Sequence, residues 1–323
     1  MTKITGGVAV AIFILATASD LQAQFDPPAG YYNSATGTGA VLKANLNAII
    51  DGHVSISYSN RETGVETLDQ DPTISANCLQ LYSGFTVAKS QFPSGTANTE
   101  HCWPNSLGID DANPAYGDFF NLRVCDAQVN SVRGNKYYDD VGGSTPAHAD
   151  APLCRTDATR FEPRALDKGD LARAMFYMDV RYEGDATDGF PRNLQLTDDI
   201  ASITTTNNNM GRLSTLIDWH FRDPVSIEER QRNHMIYSGC GYGAGSLQNC
   251  QQNRNPFVDR PEFVWAVFGQ APNNASLFFQ GTTPINGASQ LFLELPTVIR
   301  GAPLWSRSPF RSTRPAPIPP PTK

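Results

Sequence analysis

The sequence lacks several patterns that would place it in a common structural class. Its 323 residues show no internal period of 20–50 residues, which argues against a solenoid or a propeller. No two cysteines have the CxxC spacing of a structural zinc site. After residue 23, no segment approaches the roughly 20 continuous apolar residues that a transmembrane helix needs. Because 40% of the residues are hydrophobic, we expect a soluble globular protein with a sizeable core.

The sequence also has no excess of basic residues, since its formal net charge is −7. This balance disfavours nucleic acid as a partner, because affinity for phosphate comes largely from Lys and Arg. A local basic patch can still act on an acidic protein, especially where a divalent cation bridges to the phosphate. The charge therefore lowers the expectation of a nucleic-acid enzyme without excluding one.

Residues 1–23 have the pattern of a signal peptide. Lys3 gives a short positive start, residues 8–16 form an apolar run, and residues 21–23 (LQA) resemble a small-residue cleavage site. An uncleaved membrane anchor is the alternative. Cleavage would remove Lys3 and Asp20 together and leave the net charge at −7. We expect an exported protein, periplasmic or extracellular, with no membrane contact after the leader is removed.

If the protein is exported, its even number of cysteines becomes informative. The cysteines are Cys78, Cys102, Cys125, Cys154, Cys240 and Cys250. Six cysteines in an exported protein suggest disulfides and allow 15 pairings. Cys240 and Cys250 bracket a glycine-rich loop that a bridge between them would close. The pairing of the other four stays open. For Cys102 a disulfide is favoured over a reactive thiol.

The periodicity of apolar residues predicts an α+β protein in which helices dominate. One domain is expected over 24–302, followed by a proline-rich, flexible tail over 303–323. The spacing predicts helices over 39–52, 167–182, 210–220 and 226–237, and extended segments over 53–60, 78–84, 277–279 and 291–293. Ser226 is the expected N-cap of the last helix.

A catalytic site is suggested by the combination of Glu100, His101 and Asn130, although each residue alone is a weak signal. Phosphodiester hydrolysis needs a base to deprotonate water and positive charge near the phosphate. Histidine is the natural base near neutral pH. A carboxylate with an amide oxygen offers hard oxygen ligands that suit Mg²⁺. Basic residues nearby in the sequence could hold phosphate: Arg123, Arg133 and Lys136.

The same residues carry a resemblance to the bacterial endonuclease I family of periplasmic and secreted nucleases. The similarity spans most of the chain after the leader. Residues 100–106 (EHCWPNS) resemble its Glu-His-x-x-Pro signature, and 118–123 and 129–135 match in part the segments that follow it. Further matches lie, in order, at 29–35, 42–50, 168–178, 216–225, 229–233 and 253–259.

The resemblance implies a mainly helical single domain with an embedded ββα-metal motif, also called a His-Me finger. It implies that His101 is the general base and that Glu100 and Asn130 hold one divalent cation, usually Mg²⁺, with Ca²⁺ or Mn²⁺ as alternatives. Family members cut DNA, often RNA too, with little sequence specificity, and leave 5'-phosphates. Asn121 and Asn135 are expected to support these groups, and the enzyme is expected to be a monomer.

Two positions depart from the family pattern. Phe120 stands where the family usually has His, and Val124 stands where it usually has Pro. The segment between His101 and Asp118 is also short, so an arginine that some relatives supply from a longer insertion has no counterpart. The departures concern residues around the proposed site, and they leave two alternatives open. One is a catalytically silent relative that binds nucleic acid or a surface partner. The other is a phosphoesterase that acts on small substrates.

Overall fold

The computed structural model describes residues 24–110, 113–184, 193–239 and 250–269. The predicted leader, Cys240, the strand signals at 277–279 and 291–293 and the proline-rich tail lie outside these ranges. In chain order the helices are α1 (Gly39–Ile50), α2 (Tyr58–Leu68), α3 (Ala127–Arg133), α4 (Lys168–Arg181), α5 (Leu213–Arg222), α6 (Ile227–Ser238), α7 (Pro256–Asp259) and α8 (Phe263–Phe268). None of the helices within the described ranges is long and apolar enough to cross a membrane.

Short strands complete a mixed α+β fold. They are β1 (Asn77–Leu79), β2 (Thr86–Ala88), β3 (Ala97–His101), β4 (Leu122–Asp126), β5 (Tyr137–Tyr138), β6 (Arg155–Thr156), β7 (Arg160–Glu162), β8 (Gln195–Leu196) and β9 (Asn209–Met210). β1 pairs with β2 and β3 with β4, both antiparallel; β7 lies between β5 and β6; β8 pairs with β9 in parallel.

Helix α4 lies at the centre of the core. Most of its side chains are buried, on all sides of the helix, and it packs against α1, α5 and α7. The predicted helix over 167–182 is confirmed, as are those over 39–52, 210–220 and 226–237 within a few residues. Ser226 caps α6 as expected, because its hydroxyl accepts from the Glu229 amide at 3.1 Å.

The extended segment predicted over 53–60 is wrong from Tyr58 onwards, where α2 begins. The alternation that suggested a strand covers only a few residues, whereas Arg61 and Val65, one turn apart, are both buried in the helix. Gly64 permits a close approach to the core. A Cβ atom there would lie 2.2 Å from the Phe119 ring, so only glycine fits without displacement.

The cysteines also differ from expectation. Cys102 is a free thiol, as are Cys78, Cys125 and Cys154, so the disulfide expected at Cys102 is absent. Burial raises the pKa of the Cys102 thiol to about 12, which keeps it protonated and unreactive. Cys250 is disulfide-bonded. Its predicted partner lies outside the described residues, so that pairing stays a prediction.

Candidate active site

A hairpin followed directly by a helix carries the predicted catalytic residues. Strands β3 and β4 pair antiparallel, with Glu100 opposite Arg123. Helix α3 starts as β4 ends and packs against both strands. The turn is fixed by Asp126, whose carboxylate accepts from the amides of Gln128 and Val129 at 2.9 and 3.1 Å. Glu100 and His101 therefore end one strand, while Asn130 faces that strand from the helix.

Asn130 is held against β3 by its amide nitrogen. Nδ2 donates to Asn98 Oδ1 at 2.8 Å and to the Thr99 carbonyl oxygen at 3.3 Å. Both contacts involve residues just before Glu100, so they bring the two proposed ligands to the same end of the strand. Asn130 Oδ1 accepts no hydrogen bond from any residue in the described ranges. The side chain thus keeps its oxygen available for a ligand.

His101 is oriented by a main-chain atom. Its Nε2 lies 3.0 Å from the carbonyl oxygen of Tyr116, and its ring packs 4.8 Å from the Tyr116 ring. A carbonyl oxygen can only accept, so Nε2 carries the proton and Nδ1 keeps its lone pair. Burial, with smaller contributions from Arg61 and Arg133, lowers the pKa of His101 to about 4. The imidazole is therefore neutral around pH 7 and able to accept a proton.

Glu100 is almost fully buried, at 2% exposure. Its Oε1 accepts from the Tyr82 hydroxyl at 2.7 Å and pairs with Arg133 Nη1 at 3.1 Å. Burial raises the pKa of Glu100, while the Arg133 charge and the hydrogen bonds from Tyr82 and the His101 amide oppose that shift. Several donors thus favour the charged carboxylate and oppose the effect of burial.

Arg133 is a buried residue that connects Glu100 with the main chain at the end of β3. Besides Glu100, it donates Nη1 to the His101 carbonyl oxygen at 2.8 Å and Nη2 to the Cys102 carbonyl oxygen. Its guanidinium carbon also lies 4.8 Å from the ring centroid of Tyr138. With 1% exposure, Arg133 supports the end of β3. Its predicted contact with phosphate stays a prediction, and these contacts give it an internal role.

A divalent cation fits the chemistry of the available donors. Glu100 supplies a carboxylate and Asn130 an amide oxygen, the hard ligands that Mg²⁺ prefers. The described ranges contain no group of three or more His, Cys, Asp and Glu residues that could enclose a metal ion. With Glu100 and Asn130 as ligands, a cation would keep other positions for water or for phosphate oxygens, as Mg²⁺ commonly does.

Comparison with known proteins identifies the family of this chain. A family model described as Endonuclease I matches residues 38–262, which is more than half of the chain. This chain belongs to the endonuclease I family. Proteins named extracellular ribonuclease from Bacillus amyloliquefaciens and Bacillus subtilis (strain 168) are each 40% identical over 240 residues, which cover 73% of this chain and 76% of the relative. The protein is accordingly an endonuclease.

The family position occupied by Phe120 belongs to the core of this endonuclease. The Phe120 ring lies 4.4 Å from the ring of Tyr177, and its amide donates to Asp118 Oδ1 at 2.9 Å. Asp118 also accepts from the hydroxyls of Tyr177 and Tyr182 at 2.8 and 2.7 Å. Phe120 therefore helps to fix the segment between the two strands.

Arg123 is directed into a cavity of about 260 Å³ that lies among α2, α4, α6 and the hairpin. Its Nε donates to Asp69 Oδ1 at 3.0 Å, and Arg232 binds the same carboxylate oxygen. Phe120 and Glu229 line the cavity as well. A phosphate contact of Arg123 stays a prediction, since Arg123 forms its ion pair with Asp69.

The remaining predicted residues occupy different surroundings. Lys136 Nζ donates to the Val132 carbonyl oxygen at 2.8 Å and to Thr156 Oγ1 at 2.9 Å. Asn121 is buried, and its side chain binds the amide and carbonyl of Trp103 at 2.6 and 3.2 Å, which steadies the chain just after His101. Asn135 is exposed after the end of α3. Their roles in catalysis stay predictions.

Three residues that contact the proposed site could not be predicted from the sequence. Tyr82 binds Glu100 from 18 residues away, the Tyr116 carbonyl orients His101, and Arg61 lies 4.5 Å from the Tyr116 ring. The only signal for Tyr82 was its place in the apolar stretch over 78–84. A carbonyl oxygen gives no signal, because every residue has one.

Proposed function

We propose that this protein is an exported, divalent-cation-dependent endonuclease that hydrolyses the phosphodiester bonds of DNA and RNA. The hydrogen bond between His101 Nε2 and the Tyr116 carbonyl oxygen carries the proposal, because it leaves Nδ1 as a free base on a neutral ring. The pattern of β3, β4 and α3, with Glu100 and Asn130 beside this base, supports its assignment as a ββα-metal motif.

In this mechanism His101 Nδ1 takes a proton from a water molecule as the water oxygen bonds to phosphorus. The bond from phosphorus to the 3'-oxygen breaks, and the 3'-oxygen takes a proton from solvent, which leaves a 5'-phosphate. Glu100 and Asn130 would hold the divalent cation, which stabilises negative charge on the phosphate and the leaving oxygen when it is bound. Arg133 and the Tyr116 carbonyl keep the ligand and the base in place.

Substrate and location follow from different observations. The names of the two Bacillus relatives point to RNA and to the extracellular space, and residues 1–23 have the pattern of a signal peptide. Contacts with the phosphodiester backbone rather than with base edges would allow both nucleic acids to be cut with little sequence preference. We propose Mg²⁺ as the cation and DNA and RNA as substrates.

The test compares purified mature protein with its His101→Ala and His148→Ala variants on plasmid DNA and on RNA, with Mg²⁺ or with EDTA. His148 is the matched control, because it lies in a loop where its Nδ1 accepts from the Asp150 amide at 3.2 Å. We expect cutting that requires Mg²⁺, at least about 100-fold slower in His101→Ala and unchanged in His148→Ala. Equal rates for wild type and His101→Ala would contradict the mechanism.

The product ends provide a second test. Attack by water leaves a 5'-phosphate on both nucleic acids, whereas attack by the ribose 2'-hydroxyl would leave a 2',3'-cyclic phosphate and could act on RNA only. End analysis of both products by mass spectrometry distinguishes these routes. Binding of nucleic acid without cutting would instead favour a catalytically silent protein.

A further inference from the structure

Tyr82 combines an unusual backbone conformation with a buried contact to Glu100. Its φ angle is 69°, in the left-handed region that side chains other than glycine seldom occupy. Such conformations persist only where surrounding contacts hold them, and they cluster at functional sites. The residue is fully buried at the turn between β1 and β2, where the Ser83 amide donates to the Leu81 carbonyl oxygen at 2.8 Å and the Gly84 amide to the Gln80 carbonyl oxygen at 3.0 Å.

The main chain at Tyr82 is held from both sides. Its amide donates to Asp167 Oδ2 at 3.0 Å, and its carbonyl oxygen accepts from Cys154 Sγ at 3.4 Å. Asp167 is itself fixed by two hydrogen bonds from Arg164, at 2.7 and 2.8 Å. The residue before Tyr82 is bound to β4, since the Leu81 amide donates to the Val124 carbonyl oxygen. This framework directs the Tyr82 ring towards the hairpin.

The hydroxyl groups of Tyr82 and Tyr138 form an ordered chain that ends on Glu100. Tyr82 Oη lies 2.7 Å from Glu100 Oε1 and 2.7 Å from Tyr138 Oη. Each hydroxyl has one proton, and a carboxylate can only accept. Tyr82 must therefore donate to Glu100 and accept from Tyr138. Burial raises the pKa of both tyrosines, so both remain donors at physiological pH.

The same carboxylate oxygen also receives Arg133 Nη1 at 3.1 Å. With two donors on Oε1, from Tyr82 and from Arg133, the carboxylate of Glu100 cannot rotate freely. Its second oxygen is thereby fixed in direction as well. Groups that orient a metal ligand in this way commonly change metal affinity by about 10–100-fold when they are removed.

We propose that Tyr82, backed by Tyr138, is a positioning residue that fixes the Glu100 carboxylate for binding the divalent cation. The inference rests on the proposed function, since it concerns the same cation. It predicts that removing the Tyr82 hydroxyl weakens cation binding in the absence of nucleic acid. Once cation saturates the site, kcat should remain within a few-fold of wild type, because His101 is untouched.

The experiment compares Tyr82→Phe, Tyr138→Phe and the control Tyr137→Phe. Tyr137 is buried beside Tyr138 in β5, and its hydroxyl binds no residue in the described ranges. Mn²⁺ binding to the mature protein is measured by calorimetry and by the electron paramagnetic resonance signal of the free ion. We expect Kd to rise about tenfold for Tyr82→Phe, less for Tyr138→Phe and not at all for Tyr137→Phe. The Mg²⁺ concentration for half-maximal cutting should rise in parallel.

If Tyr82 has a purely structural role, Tyr82→Phe lowers the melting temperature and leaves the Kd for Mn²⁺ unchanged. A folded Tyr82→Phe variant with the wild-type Kd therefore overturns the inference. If Tyr82→Phe does not fold, Tyr138→Phe decides, and an unchanged Kd there overturns the inference too. Failure of the proposed function is distinguishable from these results. Wild-type protein that binds no Mn²⁺, or that cuts equally well in EDTA, contradicts both proposals at once.

Discussion

Arg133 and Glu100 form an ion pair of 3.1 Å in which the side chains are 1% and 2% exposed. A buried carboxylate that loses its cationic partner keeps the full cost of desolvation. The pair also links the helix to the end of β3, so it connects the stability of the fold with the geometry of the proposed site.

Arg133→Met is therefore expected to lower the free energy of unfolding by about 3–5 kcal/mol, since it leaves Glu100 buried and unpaired. Urea denaturation followed by circular dichroism measures the change. The double variant Arg133→Met/Glu100→Gln is the control, and it should recover part of the loss because no charge remains. If the single variant is as stable as wild type, the pair does not support the fold.

Gly64→Ala is expected to destabilise the protein by about 1–3 kcal/mol, because the added Cβ would lie 2.2 Å from the Phe119 ring. Gly52→Ala is the matched control, since a Cβ there meets nothing within 4 Å. Thermal unfolding of the two variants side by side gives the comparison. Equal melting temperatures would mean that α2 can move away from Phe119 without cost.

Asp126→Ala is expected to lower the free energy of unfolding by about 1 kcal/mol, since it removes the N-cap of α3 and leaves two amides without their acceptor. Asp126→Asn should retain most of the stability, because asparagine is an equally good cap. Hydrogen exchange of the amides of Gln128 and Val129 reports the effect locally. The idea fails if these amides are equally protected in wild type and in Asp126→Ala.

Stability should decrease in mild acid because of His220. Burial and the nearby Arg173 lower the pKa of His220 to about 3, and its Nε2 lies 3.0 Å from the Pro261 carbonyl oxygen. The unfolded chain has the ordinary value of about 6.5, so between pH 6.5 and 3 it binds more protons than the folded protein. The free energy of unfolding therefore falls as the pH falls through this range.

Between pH 7 and pH 5 the contribution of His220 is about 2 kcal/mol, set by the pKa of the unfolded state. His220→Gln removes the titration, so its stability should be lower at pH 7 but should fall less towards pH 5. Urea denaturation of both proteins at the two pH values isolates the difference. Parallel losses of stability in wild type and variant would show that His220 is not the group responsible.

The predictable parts of the fold are those that a local pattern encodes. The helix over Lys168–Arg181 follows from the regular recurrence of Leu171, Met175 and Met178, and the α6 cap follows from Ser226. Helix α2 was missed, because Gly64 and the polar residues around it weaken the pattern while its stability comes from packing on Phe119.

The proposed site likewise contains residues that a local pattern predicts and residues that it does not. Glu100, His101 and Asn130 could be proposed from their residue types, since each offers a recognisable chemical group. Their supports could not, because Tyr82 approaches from another part of the chain and needs a rare backbone conformation. The interior place of Arg133 also has no local signal: only the packing of α3 on the hairpin reveals which way its guanidinium points.

The acceptor that orients His101 belongs to the main chain of a short 3-10 turn, Pro114–Gly117. Any side chain at position 116 brings the same carbonyl oxygen, so the tautomer of His101 depends on the path of the turn rather than on the identity of Tyr116. The turn is anchored at Gly117, where a Cβ would lie 2.3 Å from the Ile56 carbonyl oxygen. A one-residue insertion or deletion in the turn would therefore move the acceptor away from His101, whichever side chain stands at position 116.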